Sequence, residues 1–234
     1  MRLMDMRGTT VQERYSKILD NIRKACQRSK RDFESVQVMG VCKDQSSVRI
    51  KEAIEAGITL LGENRTQEAA VHMNDLSSEA VSWHYIGKLQ KNKINKIIKT
   101  FDFIQSVDGI KSLEHIQKRV DDPLEVFIEI NIADEKSKSG FTPQGLKKAM
   151  NYISNLNRIM ITGFMLIPPF SRNPENVRPY FAQLKKLQQE INEMRYRNFK
   201  IRHLSMGMSN DYDVAVEEGA TIVRIGTALF GRRI

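Results

Sequence analysis

Residues 36–46 read VQVMGVCKDQS, an apolar run that ends on a single lysine, Lys43. Lysine is among the side chains least often buried, so at the end of a buried strand it needs a reason. Either its stem lies along apolar surface with the ammonium in water, or its amine is a nucleophile. Far along the chain, two glycine segments carry chemistry of a different kind. In "GMS", residues 207–209, and "IGT", residues 225–227, Gly207 and Gly226 let backbone N–H groups approach an anion. Ser209 and Thr227 add hydroxyl donors, and Arg224 adds a fixed positive charge. Each piece alone is weak, because Gly226 also reads as a turn glycine and Ser209 as a helix cap.

The elements that must position these residues follow from the hydrophobic pattern. Thr10 and Glu13 have the spacing of a capping box, and Val11, Tyr15, Ile18, Leu19, Ile22 and Cys26 then repeat on one helical face. Eight strand-like runs follow, at 36–41, 58–62, 82–87, 101–107, 124–132, 159–167, 201–205 and 221–226. Helical segments separate them at 47–56, 66–73, 91–98, 110–120, 143–156, 174–194 and 211–218. Several strands are apolar on consecutive residues, as strands covered on both faces are. Such alternation implies parallel strands with right-handed crossovers. Eight repeats fit a (β/α)8 TIM barrel with an extra N-terminal helix, spanning residues 1–234 as one domain. An open doubly wound sheet is the second reading.

In such a barrel the site lies at the C-terminal ends of the strands. Lys43, Asn64, His84, Met165, Ser205, Ser209, Arg224, Gly226 and Thr227 all fall there or on the strands leading to it. Closure would make the first and eighth strands neighbours. A nucleophilic lysine beside a phosphate cup is what pyridoxal 5′-phosphate requires, its aldehyde forming a Schiff base with the amine while its phosphate is held at the other end.

The motifs "VCK", "GENRTQEA", "WHYIGKLQKNK", "NIADEKSKSGF", "GFMLIP" and "SMGMSNDYDVAVEEGATIVRIGTALFG" together resemble the pyridoxal-phosphate homeostasis protein family. The resemblance runs from about Val36 to Gly231. It implies a single barrel similar to the N-terminal domain of alanine racemase, with pyridoxal phosphate held on Lys43. It further implies that Ser209, Gly226 and Thr227 hold the phosphate and that Arg224 looks toward the pyridine nitrogen. Asn64, His84, Met165 and Ser205 would line the ring's surroundings. One departure is visible: family members usually read "VSKT" where this chain has "VCKD", so Cys42 and Asp44 flank the lysine.

The implied role is vitamin B6 and amino-acid homeostasis without efficient catalysis. Racemases of this type use a second base from a further domain, and none is expected after the barrel. A weak amino-acid racemase, or a barrel for another phosphate ligand, are the alternatives. The expected partners are the cofactor and pyridoxal-phosphate-dependent apo-enzymes, with no nucleic acid and no membrane, and the chain is expected to be a monomer. The net charge of +9 suits anionic ligands, and the basic run KLQKNKINKIIK at 88–99 reads as a solvated helix over Leu89, Ile94, Ile97 and Ile98. No apolar run is of membrane-spanning length, the first 18 residues lack a signal core, and the two cysteines lack metal or redox spacing. A cytoplasmic location is therefore expected. His72, His115 and His203 show no metal-ligand spacing with His84, and no metal is expected.

Overall fold

The computed structural model describes residues 9–135 and 137–231. Residues 1–8 of the 18-residue N-terminal stretch read for a signal core lie outside them, as does Lys136. Thr10 opens the first helix as its spacing with Glu13 predicts. The Thr10 hydroxyl accepts the Glu13 N–H at 3.2 Å, and the Glu13 carboxylate accepts the Thr10 N–H at 2.8 Å. Helix α1 then runs Val11–Ser29, burying Val11, Ile18, Ile22 and Cys26. Tyr15 and Leu19 of the same face pack against the core while partly exposed.

Eight strands follow: β1 (Gln37–Val41), β2 (Leu60–Glu63), β3 (Ser82–Tyr85), β4 (Phe103–Val107), β5 (Leu124–Glu129), β6 (Ile159–Met165), β7 (Phe199–Ser205) and β8 (Ile222–Ile225). They form a closed barrel in sequence order, every neighbouring pair parallel, with β1 hydrogen-bonded to β8. Closure removes the open doubly wound sheet. The intervening helices are α2 (Ser47–Glu55), α3 (Thr66–Asp75), α4 (Ile94–Thr100), α5 (Ile110–Gln117), α6 (Pro143–Ile153), α7 (Arg178–Glu193) and α8 (Tyr212–Glu217). A short α9 (Thr227–Phe230) follows β8.

Two apolar runs overstate their strands. β5 stops at Glu129 and β6 at Met165, yet Ile130 and Leu166 beyond them are 1% exposed. Both still take part in inter-strand bonding, the Ile130 N–H donating to the Met165 carbonyl at 2.8 Å and the Leu166 N–H to the Ser205 carbonyl at 3.0 Å, so their apolarity reflects burial just past the regular strand ends. The helix expected at 174–194 divides into a 3-10 turn, Pro174–Val177, and α7. Pro179 explains the division, since its fixed φ and missing N–H suit a helix's first turn and not its interior. In the basic run, Leu89, Ile94 and Ile97 are buried and Ile98 half-buried, while Lys88, Lys91, Lys96 and Lys99 are exposed. The solvated lysines are those the pattern predicts, but the run is helical only from Ile94, and Leu89 is buried from the segment before the helix.

The barrel interior is filled in layers. Met39, Leu60, Phe127 and Ile222 pack together, with Ile86 against them. Gly163 makes room for the Phe127 ring, because a Cβ there would sit 2.6 Å from Phe127 Cδ1. Outside, α1 braces the C-terminal end of the chain: Asn21 Nδ2 donates to the Tyr212 hydroxyl at 2.8 Å, and Arg28 Nε to Glu217 at 2.6 Å. Among the described residues no helix is long and apolar enough to cross a membrane.

Candidate functional site at the C-terminal mouth

Met39 faces the barrel interior, so the strand's two-residue period puts Val41 on the same side. Beyond Val41 the chain turns. The Gln45 N–H donates to the Cys42 carbonyl at 3.0 Å, and Asp44 takes a left-handed φ of 56°, a conformation aspartate tolerates better than most residues. Lys43 therefore stands on a tight turn at the barrel mouth, half-buried. Asp44 looks away toward Arg65, 3.8 Å from its carboxylate. Cys42 is fully buried, and that burial raises its thiol well above the usual range. It is a packing residue with no thiolate character.

A second clip holds this turn. His72 on α3 lies 2.7 Å through Nδ1 from the Glu63 carboxylate and 3.1 Å through Nε2 from the Gln45 carbonyl. Glu63, at the end of β2, is completely buried. Its hydrogen bond raises the His72 pKa despite burial, and burial raises that of Glu63 despite His72. Both folded values lie above the unfolded ones, so the native state binds more protons than the unfolded chain. The stabilisation is complete below the unfolded values and is lost as pH rises through the folded ones. Thermal melts should therefore show stability falling as pH rises above the unfolded histidine value of 6.5. His72→Gln should flatten that slope, and an unchanged slope would remove His72 as its cause.

Arg224 is the inward residue of β8 at this mouth, 4% exposed. Its Nη1 donates to the Ser205 carbonyl and, at 2.9 Å, to Ser205 Oγ; its Nη2 donates to the Leu166 carbonyl at 2.9 Å. Desolvation lowers its pKa to about 10, against the pull of Asp211 and Glu129, so it stays charged at neutral pH. Ser205 and Met165 pair in register at the ends of β7 and β6, both buried. Glu129 pairs with Met165 from β5. Burial and Asp108 raise the Glu129 pKa while Arg224 and Lys88 lower it.

The two glycine segments meet where the pattern places them. Ser209 Oγ accepts the Ala228 N–H at 3.1 Å, tying the loop after β7 to α9. Gly207 has a φ of 92°, and a Cβ there would meet that of Ala215 at 2.6 Å, so only glycine fits. At Gly226 a Cβ would make only an ordinary contact with Val41 at 3.7 Å, so Gly226 packs beside the end of β1. Thr227 beside it is exposed. Asn64 lies at the same mouth, and its Oδ1 is buried with no hydrogen-bond partner. His84 is deeper. It is 4% exposed, stacked on Phe103 at 4.8 Å between centroids, and bonded to Gln105 rather than facing the mouth.

Gln105, Glu129 and Asp211 were not singled out by the sequence. Glu129 carries the same signal as Lys43, a charge at the end of an apolar strand. Asp211 Oδ1 accepts the Met208 N–H at 2.6 Å and shapes the glycine loop from within. A cleft of about 530 Å³ lies at the opposite mouth against Thr59, Glu79, Ser82 and Asp102. It carries neither the lysine nor the glycine loops, so chemistry rather than volume locates the site.

The alanine racemase N-terminal domain family matches residues 14–233. The pyridoxal phosphate homeostasis protein of Aquifex aeolicus is 41% identical over 224 residues, 94% of this chain and 97% of its own. That of Escherichia coli is 35% identical over 228 residues, 93% of this chain and 94% of its own. Among solved structures, PipY of Synechococcus elongatus with PLP bound has a TM-score of 0.82 at 31% identity, covering 95% of this chain and 100% of that one. Alanine racemase from Corynebacterium glutamicum has a TM-score of 0.69 at 13% identity, covering 92% of this chain and 61% of that one, a likeness of fold alone. Barrel and site thus define a protein of the alanine racemase N-terminal barrel class. Within that class the chain belongs to the pyridoxal phosphate homeostasis protein family.

Proposed function

We propose that this protein binds pyridoxal 5′-phosphate at the barrel mouth through a Schiff base on Lys43, and holds it for vitamin B6 and amino-acid homeostasis rather than for fast catalysis. The observation that carries the reading is the pairing of β1 with β8, which sets the Lys43 turn beside Arg224 and the Gly226 loop. The donor set fits the cofactor. Lys43 supplies an amine, Ser209, Gly226 and Thr227 supply hydroxyls and backbone groups for the phosphate, and Arg224 supplies a cation. The unpartnered Asn64 Oδ1 is what a polar ligand would use. Met165 and Ser205 border the ring's place, and His84 supports it from beneath. Bound, the cofactor would supply an aldehyde for reversible covalent capture and a ring able to withdraw electrons.

Arg224 favours carriage over turnover. A guanidinium only donates, so facing the pyridine nitrogen it would keep that nitrogen an acceptor and the ring a poor electron sink. The proposed recipients are pyridoxal-phosphate-dependent apo-enzymes, and the protein acts as a monomer. The test is incubation with pyridoxal phosphate, borohydride reduction and peptide mass spectrometry. The pyridoxyl group is expected on Lys43, and a label elsewhere, or none, overturns the assignment. Alanine racemisation by the loaded protein should stay below the range of ordinary enzymes, roughly 1–1000 per second.

A further inference from the structure

Beneath the site, the barrel core holds an unbroken line of polar side chains. Arg224 Nη1 donates to Ser205 Oγ at 2.9 Å. Ser205 Oγ donates to Gln105 Oε1 at 2.7 Å. Gln105 Nε2 lies 2.8 Å from His84 Nδ1, and His84 Nε2 lies 3.3 Å from Ser82 Oγ. Ser82 Oγ is in turn 3.4 Å from Asp102 Oδ2 at the opposite mouth. Ser205 and Gln105 are 0% exposed, and His84 is 4% exposed.

The chain has a direction. Arginine has no acceptor, so its bond to Ser205 Oγ leaves the serine proton to go to Gln105. With its carbonyl facing Ser205, Gln105 must turn its amide donors toward His84. Nδ1 then carries the lone pair, and the imidazole proton sits on Nε2, toward Ser82. A reversed Gln105 amide would aim two donors at Ser205 Oγ and take away the acceptor of its proton. The donors thus run one way, from the cation at the cofactor mouth toward the carboxylate at the other.

We propose that Gln105 is a positioning residue for Arg224: it joins Ser205 to His84 in a one-way hydrogen-bond chain that fixes the guanidinium from beneath the site. Its consequence for the cofactor rests on the reading of Arg224 given above, while the chain itself does not. Gln105 touches no ligand. It fixes where the Ser205 hydroxyl proton points and therefore which side of the oxygen is left to accept from Arg224. His84 serves as the far anchor and stays neutral, with burial lowering its pKa to about 4. The charged and titratable groups acting on it are Asp102, which favours its protonated form, and His203 and burial, which oppose it.

The experiment is nitrogen NMR of the full chain, first without and then with pyridoxal phosphate. In the wild type, His84 should stay neutral from pH 5 to pH 9 (about the range that holds the fold) with its proton on Nε2. Gln105→Glu keeps the shape but faces Nδ1 with an acceptor, so His84 should draw a proton and titrate above about pH 6. Gln105→Leu should lose the tautomer preference, speed solvent exchange of the Arg224 guanidinium protons, and weaken cofactor binding about tenfold. The proposal is overturned by a wild-type His84 that carries its proton on Nδ1 or titrates near 6.5. A folded Gln105→Leu with unchanged Arg224 exchange overturns it equally. Should Gln105→Leu not fold, the His84 titration in Gln105→Glu decides. The measurements without cofactor stand if Lys43 takes no label, so the two readings fail separately.

Discussion

Lys43→Ala is expected to remove the borohydride-trapped pyridoxyl label completely and to abolish the absorbance of the covalent complex. Among the described residues no other lysine follows β1 at this mouth: Lys88, whose charge reaches Glu129, is exposed and follows β3. The fold should tolerate the change. Lys43 sits on a turn whose Gln45-to-Cys42 hydrogen bond is between backbone groups, and substitutions of this kind usually stay within about 0.5 kcal/mol. Weak non-covalent binding should survive through the loops after β7 and β8. Ser209→Ala and Thr227→Ala should show the complement, with weaker binding and little spectral change. A full-strength label in Lys43→Ala would sink the assignment of the nucleophile.

Arg224→Glu should change spectrum and stability together. A carboxylate beside the pyridine nitrogen would favour its protonated form and shift the absorbance and its pH dependence. The same carboxylate would face the carbonyls of Leu166 and Ser205, both of which now accept from the guanidinium. It would also join Glu129 and Asp211, which already act on this position. Acceptor against acceptor in a buried site is costly, and breaking a buried charged group's partnerships costs about 3–5 kcal/mol. Arg224→Gln keeps a donor and should cost less, with a smaller spectral shift. Denaturant titration and absorbance measured on the same samples separate the two effects. An Arg224→Glu protein with unchanged spectrum, affinity and melting temperature would show that the guanidinium neither faces the ring nor braces the mouth.

The barrel was legible because its signal is repeated. Eight apolar runs alternate with amphipathic segments, and parallel closure is the arrangement that buries both strand faces and joins the first run to the last. The glycine loops were legible because Gly207 and Gly226 sit beside Ser209 and Thr227 just after strands. The interior polar line was not. In β4, Gln105 and Ser106 are adjacent and both buried, one bonded into the barrel and the other, Ser106, to the Gly87 carbonyl. A strand covered on both faces has no polar side to reveal which residues point inward. His72 was passed over for a related reason. Its partner Glu63 is nine residues away, on a strand rather than the same helix, so helical spacing could not pair them.

The union of β1 with β8 also has a temporal meaning. Register partners Met39 and Arg224 lie far apart in the chain, so this mouth is assembled from segments that the ribosome makes well separated in time. While the ribosome is still making α7 or β7, β1 has an unpaired edge and Lys43 has no opposite wall. Such long-range closure is slow, and the waiting edge is open to wrong partners. Helix α1 meets the same delay, since Tyr212 and Glu217, to which it bonds, arrive late. A nascent chain stalled before Ile222 would carry Lys43 without β8 and the loop after it, so on the proposed reading an unfinished copy should take no cofactor from the cell.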